Sequence, residues 1–142
     1  MAACRGLRGA TTTEANEREA ILEATRELLK RLMERNNLVT EDIAAAFFTV
    51  TEDLDAEYPA LAARQLGWTE TALMCAREIP VPTTTVHHCI RVLVLINTEK
   101  RASEIVHVYL REAVALRPSR ADISVEEAAP DDGSAAADSA RD

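Results

Sequence analysis

Between residues 16 and 37 the apolar side chains recur at the spacing of a helix. Ile21, Leu22, Leu28, Leu29, Leu32 and Met33, with Ala24 and Thr25, fall on one side, and Glu23, Glu27, Lys30, Arg31 and Glu34 fall on the other. Asn16 followed by Glu19 predicts an N-cap with a capping box, and Asn36-Asn37 predicts the end. Glu27 precedes Arg31 in the favourable i,i+4 order. The stretch is one long amphipathic helix whose role is packing.

Elsewhere the runs are short and rich in strand formers. A first strand is expected around residues 2–8, ending in "RGLRGATTT", where Gly6 and Gly9 allow backbone or ligand to approach closely. This is not a phosphate loop, because the GKS/T ending is absent. "IAAAFFTV" (43–50) reads as a buried strand, with helix left open by its three alanines. "TALMCA" (71–76), the long run 86–96 and "IVHVYL" are further strands. Pro59 can start a short helix "PALAARQL" that Gly67 closes. "REIPVPTTT" is a loop, "NTEKRASE" a turn, and "REAVALRP" either a last helical turn or extended chain. The sum is a single α/β (α+β) domain over residues 1–118, a mixed β-sheet packed by one long helix and short helices. One long helix covers one face of such a sheet, so the other face calls for the short helices or another copy of the chain.

Composition narrows the partners. With 47% hydrophobic and 28% charged residues the chain has the make-up of a globular protein, and a net charge of −8 disfavours nucleic acid and anionic membranes. Residues 119–142 hold seven acidic residues against Arg120 and Arg141, a net of −5, which leaves −3 for residues 1–118. An anionic small ligand is therefore compatible with the folded part. The tail is mostly Ala, Ser, Asp, Glu, Pro and Gly, and is expected to be disordered, since it cannot bury enough apolar area to offset ordering. Cys4, Cys75 and Cys89 show neither disulfide-framework nor zinc-type spacing, and "MAACRGLRGA" lacks the apolar stretch of a signal peptide. A cytoplasmic location with reduced thiols is expected.

The chemistry-bearing residues are few. In "HHCIRVLVLIN" Arg91 interrupts a strand, where an unpaired guanidinium is costly. It is either a structural salt-bridge partner or a ligand group. Arg8, Arg64 and Arg117 also stand beside apolar elements, and converging arginines suit a ligand with more than one carboxylate. On a strand His87 and Cys89 share a face while His88 points away; without a third ligand they read as ordinary positions, and no metal site is assigned. Cys75 at a strand end and Glu78 in the loop after it are candidate polar counterparts. GxSxG, HExxH and GxGxxG are absent, so an enzyme built this way would need neither nucleophile nor cofactor.

Five blocks in order, "RGLRGATT", "TEDLDAEYPALAARQLGW", "MCAREIPV", "CIRVLVLINT" and "HVYLREAVALRP", resemble the monofunctional chorismate mutases of the Bacillus type over roughly residues 4–118. The resemblance implies a homotrimer with sites between subunits. It also implies conversion of chorismate to prephenate, on the way to phenylalanine and tyrosine, with no cofactor and no covalent intermediate. Arg91 then matches the group facing the ether oxygen, Glu78 and the Cys75 region the partners of the ring hydroxyl, Arg8 a carboxylate holder, and Tyr109 a phenol on the side-chain carboxylate. Tyr58, Ala60, Arg64, Leu73 and Met74 would form the wall facing a neighbour, with Leu116 and Arg117 the closing C-terminal edge. The chain departs from the family pattern at Leu61, where lysine is common, at Met74, where a smaller polar residue is expected, and at Tyr58, which replaces phenylalanine. The alternative is a non-catalytic trimeric module that binds a small dicarboxylate in the same cleft.

Overall fold

The computed structural model describes residues 1–83 and 86–117, and the backbone of Ser124–Ala128. The elements are β1 (Ala3–Thr12), α1 (Arg18–Asn36), β2 (Ile43–Val50), α2 (Ala60–Gln65), β3 (Ala72–Arg77), β4 (Cys89–Thr98), β5 (Val106–Leu110) and β6 (Ser124–Ala128). Short 3-10 turns occupy Thr40–Asp42, Ala102–Glu104 and Arg111–Leu116. "IAAAFFTV" is thus a strand, and Arg111–Leu116 of "REAVALRP" a 3-10 turn.

The strands form one mixed sheet in the order β3-β2-β4-β1-β5-β6. The long β4 sits in the middle, antiparallel to both β1 and β2. β3 joins β2 in parallel, and β5 joins β1 in parallel. Within the tail, Ser124–Ala128 pairs in parallel with β5 and extends the sheet. The other residues beyond Arg117 lie outside the described residues.

α1 behaves as its periodicity dictates. Ile21, Ala24, Leu28, Leu29 and Leu32 share one buried cluster with Leu7, Ile90, Val92, Val94, Ile96 and Val108, and Leu22 is buried as well. Each large side chain taken fully out of water contributes about 1.5–3 kcal/mol. The helix ends at Asn37 in the left-handed conformation (φ 52°, ψ 48°), which asparagine tolerates. Asn36 is buried and completes the join, donating through Nδ2 to the Val106 carbonyl at 2.9 Å and accepting from the Val106 N–H at 2.8 Å.

The predicted cap at the start of α1 is not made. Glu17 occupies the N-cap and no side chain bonds the helix there. Asn16 instead accepts from the N–H groups of Asp55 and Ala56, both at 3.0 Å, and donates to the Asp55 carboxylate at 2.8 Å. A loop 39 residues downstream competes successfully for the same polar side chain.

The run 86–96 is corrected at its start. His88 has φ +49° and its N–H is held by both Asp53 carboxylate oxygens at 3.0 and 3.2 Å, so β4 begins only at Cys89. His87 is 79% exposed, with Nδ1 3.8 Å from Asp53 Oδ2, whereas Cys89 is buried; the two do not share a strand face. Among the described residues no His, Cys, Asp and Glu side chains gather in a group fit for a metal ion, and no helix is long and apolar enough to cross a membrane.

Gly9 serves packing. A Cβ built there would lie 2.9 Å from Leu32 Cδ1, 3.1 Å from Leu28 Cδ1 and 3.3 Å from the Val108 carbonyl oxygen. Gly9→Ala should push α1 off the sheet and destabilise the fold by about 1–3 kcal/mol, an overpacking cost. Urea unfolding should show the midpoint fall at unchanged slope; an unshifted midpoint would mean the helix adjusts freely.

Candidate active site

Strand alternation decides which side chains meet. Along β4, Ile90, Val92, Val94 and Ile96 face α1, so Arg91, Leu93 and Leu95 face the side that no long helix covers. The register then fixes their neighbours: Thr49 and Ala10 flank Arg91, while Phe47 and Arg8 flank Leu93. Tyr109 stands beside Ala10. Glu78 follows the end of β3 and is pinned by its N–H to the Val50 carbonyl at 2.8 Å.

These residues line a cavity of about 350 Å³ whose walls carry Arg8, Thr49, Glu78, Arg91 and Tyr109 together with Phe47 and Leu93. That volume falls in the range of small-molecule sites. Glu78 spends one oxygen on the Thr49 hydroxyl, which donates at 2.6 Å, and sets the other 3.3 Å from Arg91 Nη1. Both readings of Arg91 thus meet in one residue, which is ion-paired and also lines the cavity. In the single chain the Arg91 and Glu78 side chains are 37% and 28% exposed, so the pair is only partly desolvated. The ion pair uses one edge of a guanidinium that has five N–H donors.

Tyr109 is buried, and its hydroxyl has no hydrogen-bond partner among the described residues. Burial pushes the phenol up, while the charges of Arg8 and Arg91 pull it down. The net shift is upward, so the phenol stays protonated at neutral pH and is a donor in want of an acceptor. The Arg8 guanidinium forms no ion pair among the described residues. Burial pushes the Cys89 thiol up to about 12 and also raises Cys75, which disfavours the thiolate form of both.

Four of the residues singled out in the sequence therefore converge: Arg8, Glu78, Arg91 and Tyr109. The others lie elsewhere in the chain. Cys75 pairs with the core residue Phe48, so its side chain turns towards the α1 side and packs against the main core instead of entering the cavity. Tyr58 is exposed and lines a separate cavity of about 410 Å³ with Cys75 and Arg77. Ala60 is buried in α2, Arg64 is exposed on it, and Leu73 packs on the core from β3. Met74 is 60% exposed, next to Phe47 on the uncovered face. Leu116 packs behind Tyr109 with Ala10 and Ala113, and Arg117 is exposed with Nη1 3.4 Å from the Val114 carbonyl. Phe47 and Thr49 were not singled out in the sequence. Their signal was strand parity, since Thr49 and Phe47 alternate with the core residue Phe48.

Residues 4–120 match the family chorismate mutase type I. Chorismate mutase AroH of Thermus thermophilus is 52% identical over 115 residues, covering 80% of this chain and 93% of that protein. Chorismate mutase AroH of Bacillus subtilis (strain 168) is 41% identical over 115 residues, covering 80% and 90%. Among solved structures, a chorismate mutase from Clostridium thermocellum superposes with a TM-score of 0.75 at 49% identity, covering 78% of this chain and 97% of that one. Sequence, fold and the arginine-lined cavity agree: the chain belongs to the chorismate mutase type I family and is an enzyme of that type.

Proposed function

We propose that chorismate binds in the cavity walled by Arg8, Glu78, Arg91 and Tyr109 and rearranges there to prephenate, with Arg91 facing the ether oxygen. The observation that carries the reading is the convergence of two arginines and an unpartnered phenol, from three neighbouring strands, around a cavity sized for a small molecule. A dianionic substrate supplies the acceptors that these donors lack. Arg8 and Tyr109 hold carboxylates.

In this reaction the ether C–O bond breaks ahead of C–C bond formation, so negative charge grows on the ether oxygen and positive charge on the ring. A cation fixed beside that oxygen binds the transition state more tightly than the ground state. The 3.3 Å contact with Glu78 holds the Arg91 guanidinium in place before substrate arrives, and Thr49 holds Glu78 in turn. The carboxylate also favours the electron-poor ring and accepts from its hydroxyl. Walls that confine the enolpyruvyl chain to a reactive conformer supply part of the acceleration. The curated relatives are enzymes by name, which leaves the non-catalytic binding module without support.

The assembly is a trimer in this reading. Met74, Phe47 and Leu93 are 60%, 39% and 40% exposed in one row across the uncovered face, an apolar strip that water disfavours. Leu73 sits on β3, Arg64 on α2 and Tyr58 in the loop just before α2, with β3 at the opposite end of the strand order from β5. A head-to-tail contact can bring one copy's β3 end to the next copy's cavity, and such contacts close into rings. Closure would also remove the exposure of Arg91.

Activity is read as loss of chorismate absorbance, with prephenate identified by its acid conversion to phenylpyruvate. Arg91→Ala should lower kcat by on the order of 10²–10³ or more, and Arg91→Lys should recover little, lacking the planar multi-donor reach. Near-normal kcat with loss of assembly would make Arg91 a structural partner only. Glu78→Gln should slow turnover yet leave the rate flat between about pH 6 and 9, because no proton is transferred; a bell-shaped profile tied to Glu78 would point to acid–base chemistry. Light scattering should return about three chain masses, and a fully active monomer would rule out the shared site.

A further inference from the structure

We infer that His107 is a positioning residue for Arg8, so that the reaction depends on its imidazole acting as a hydrogen-bond acceptor. β1 and β5 pair in parallel from Gly9↔Val108 onward. One residue earlier the link is carried by a side chain, as the Arg8 backbone N–H donates to His107 Nδ1 at 3.0 Å. The bond closes the seam between the two strands that bring Arg8 and Tyr109 to the cavity. It also fixes the peptide from which the Arg8 side chain departs. A long, flexible side chain with no ion pair among the described residues takes its direction from its backbone, so an untethered Arg8 peptide would present the guanidinium less sharply.

Accepting at Nδ1 requires the neutral ring with its proton on Nε2. Half-buried His107 is suited to that state: burial, and then the Arg8 charge, hold it below the ordinary histidine range. His107 lies two residues before Tyr109 on the same strand face and need not touch the substrate, so its influence runs through Arg8.

The inference rests on the proposed carboxylate role of Arg8, and the test separates the two. His107→Leu removes the acceptor. It should raise the KM for chorismate about three- to tenfold, the worth of one such hydrogen bond, while kcat stays within about twofold. His107→Asn keeps a carbonyl oxygen at the δ1 position and should bring KM back close to that of the unaltered enzyme. In an Arg8→Ala background, His107→Leu should add nothing further, whereas a general packing defect would add its full effect. Overturning results are a normal KM in His107→Leu beside a raised one in Arg8→Ala, an Asn variant as impaired as the Leu variant, or full additivity. If Arg8→Ala itself leaves KM unchanged, the carboxylate role of Arg8 falls, and this inference with it.

Discussion

A helix of 19 residues can cover one face of a sheet and not two, and most of this molecule follows from that constraint. Strand side chains alternate, so the face that buries Leu7, Ile90, Val92, Val94, Ile96 and Val108 against α1 commits their sequence neighbours to the opposite side. Arg8, Arg91 and Tyr109 are such neighbours, each adjacent to a core residue on its own strand. Polar chemistry could be placed on the central strands because the hydrophobic effect operates on their other face.

The uncovered face is a compromise between solubility and use. A guanidinium deep in the core would have cost far more than one pair returns. At 37% exposure Arg91 remains partly hydrated, and its pairing with Glu78 is that of a poised group more than of a stabilising bridge. The apolar strip of Phe47, Leu93 and Met74 beside it is the reverse case, favourable once covered and a liability when open. A ring of copies would resolve both at once, by drying the arginine and burying the strip.

Loop anchoring does comparable work at a distance. Asp53 holds the His88 N–H and accepts from Thr51, and Thr51 in turn accepts from the Cys89 N–H at 2.9 Å, which fixes where β4 begins and hence the parity of Arg91. Asp53 is held below the usual carboxylate range, because these hydrogen bonds outweigh the opposing effect of burial. Asn36 does the same for β5 by gripping both polar groups of Val106. These contacts join residues 35 and 70 positions apart, and they set the frame in which a 3.3 Å ion pair can form.

Helix α1 and the strands β1 to β5 were legible in the residue pattern, because periods of 3.6 and 2 are local properties of the chain. The oddity of Arg91 among strand formers, and of Arg8 beside an apolar element, was legible for the same reason, whereas Tyr109 stood out only through the family resemblance. Tertiary structure alone decided the order β3-β2-β4-β1-β5-β6, and with it that Glu78 reaches Arg91 while Cys75 turns to the core. It also diverted Asn16 from its helix to a distant loop, delayed β4 by a left-handed His88, and added Ser124–Ala128 as a strand. Each of these outcomes is a competition between partners far apart in the chain. No local pattern can settle such a contest, since its result depends on which groups the packed sheet brings within hydrogen-bonding distance.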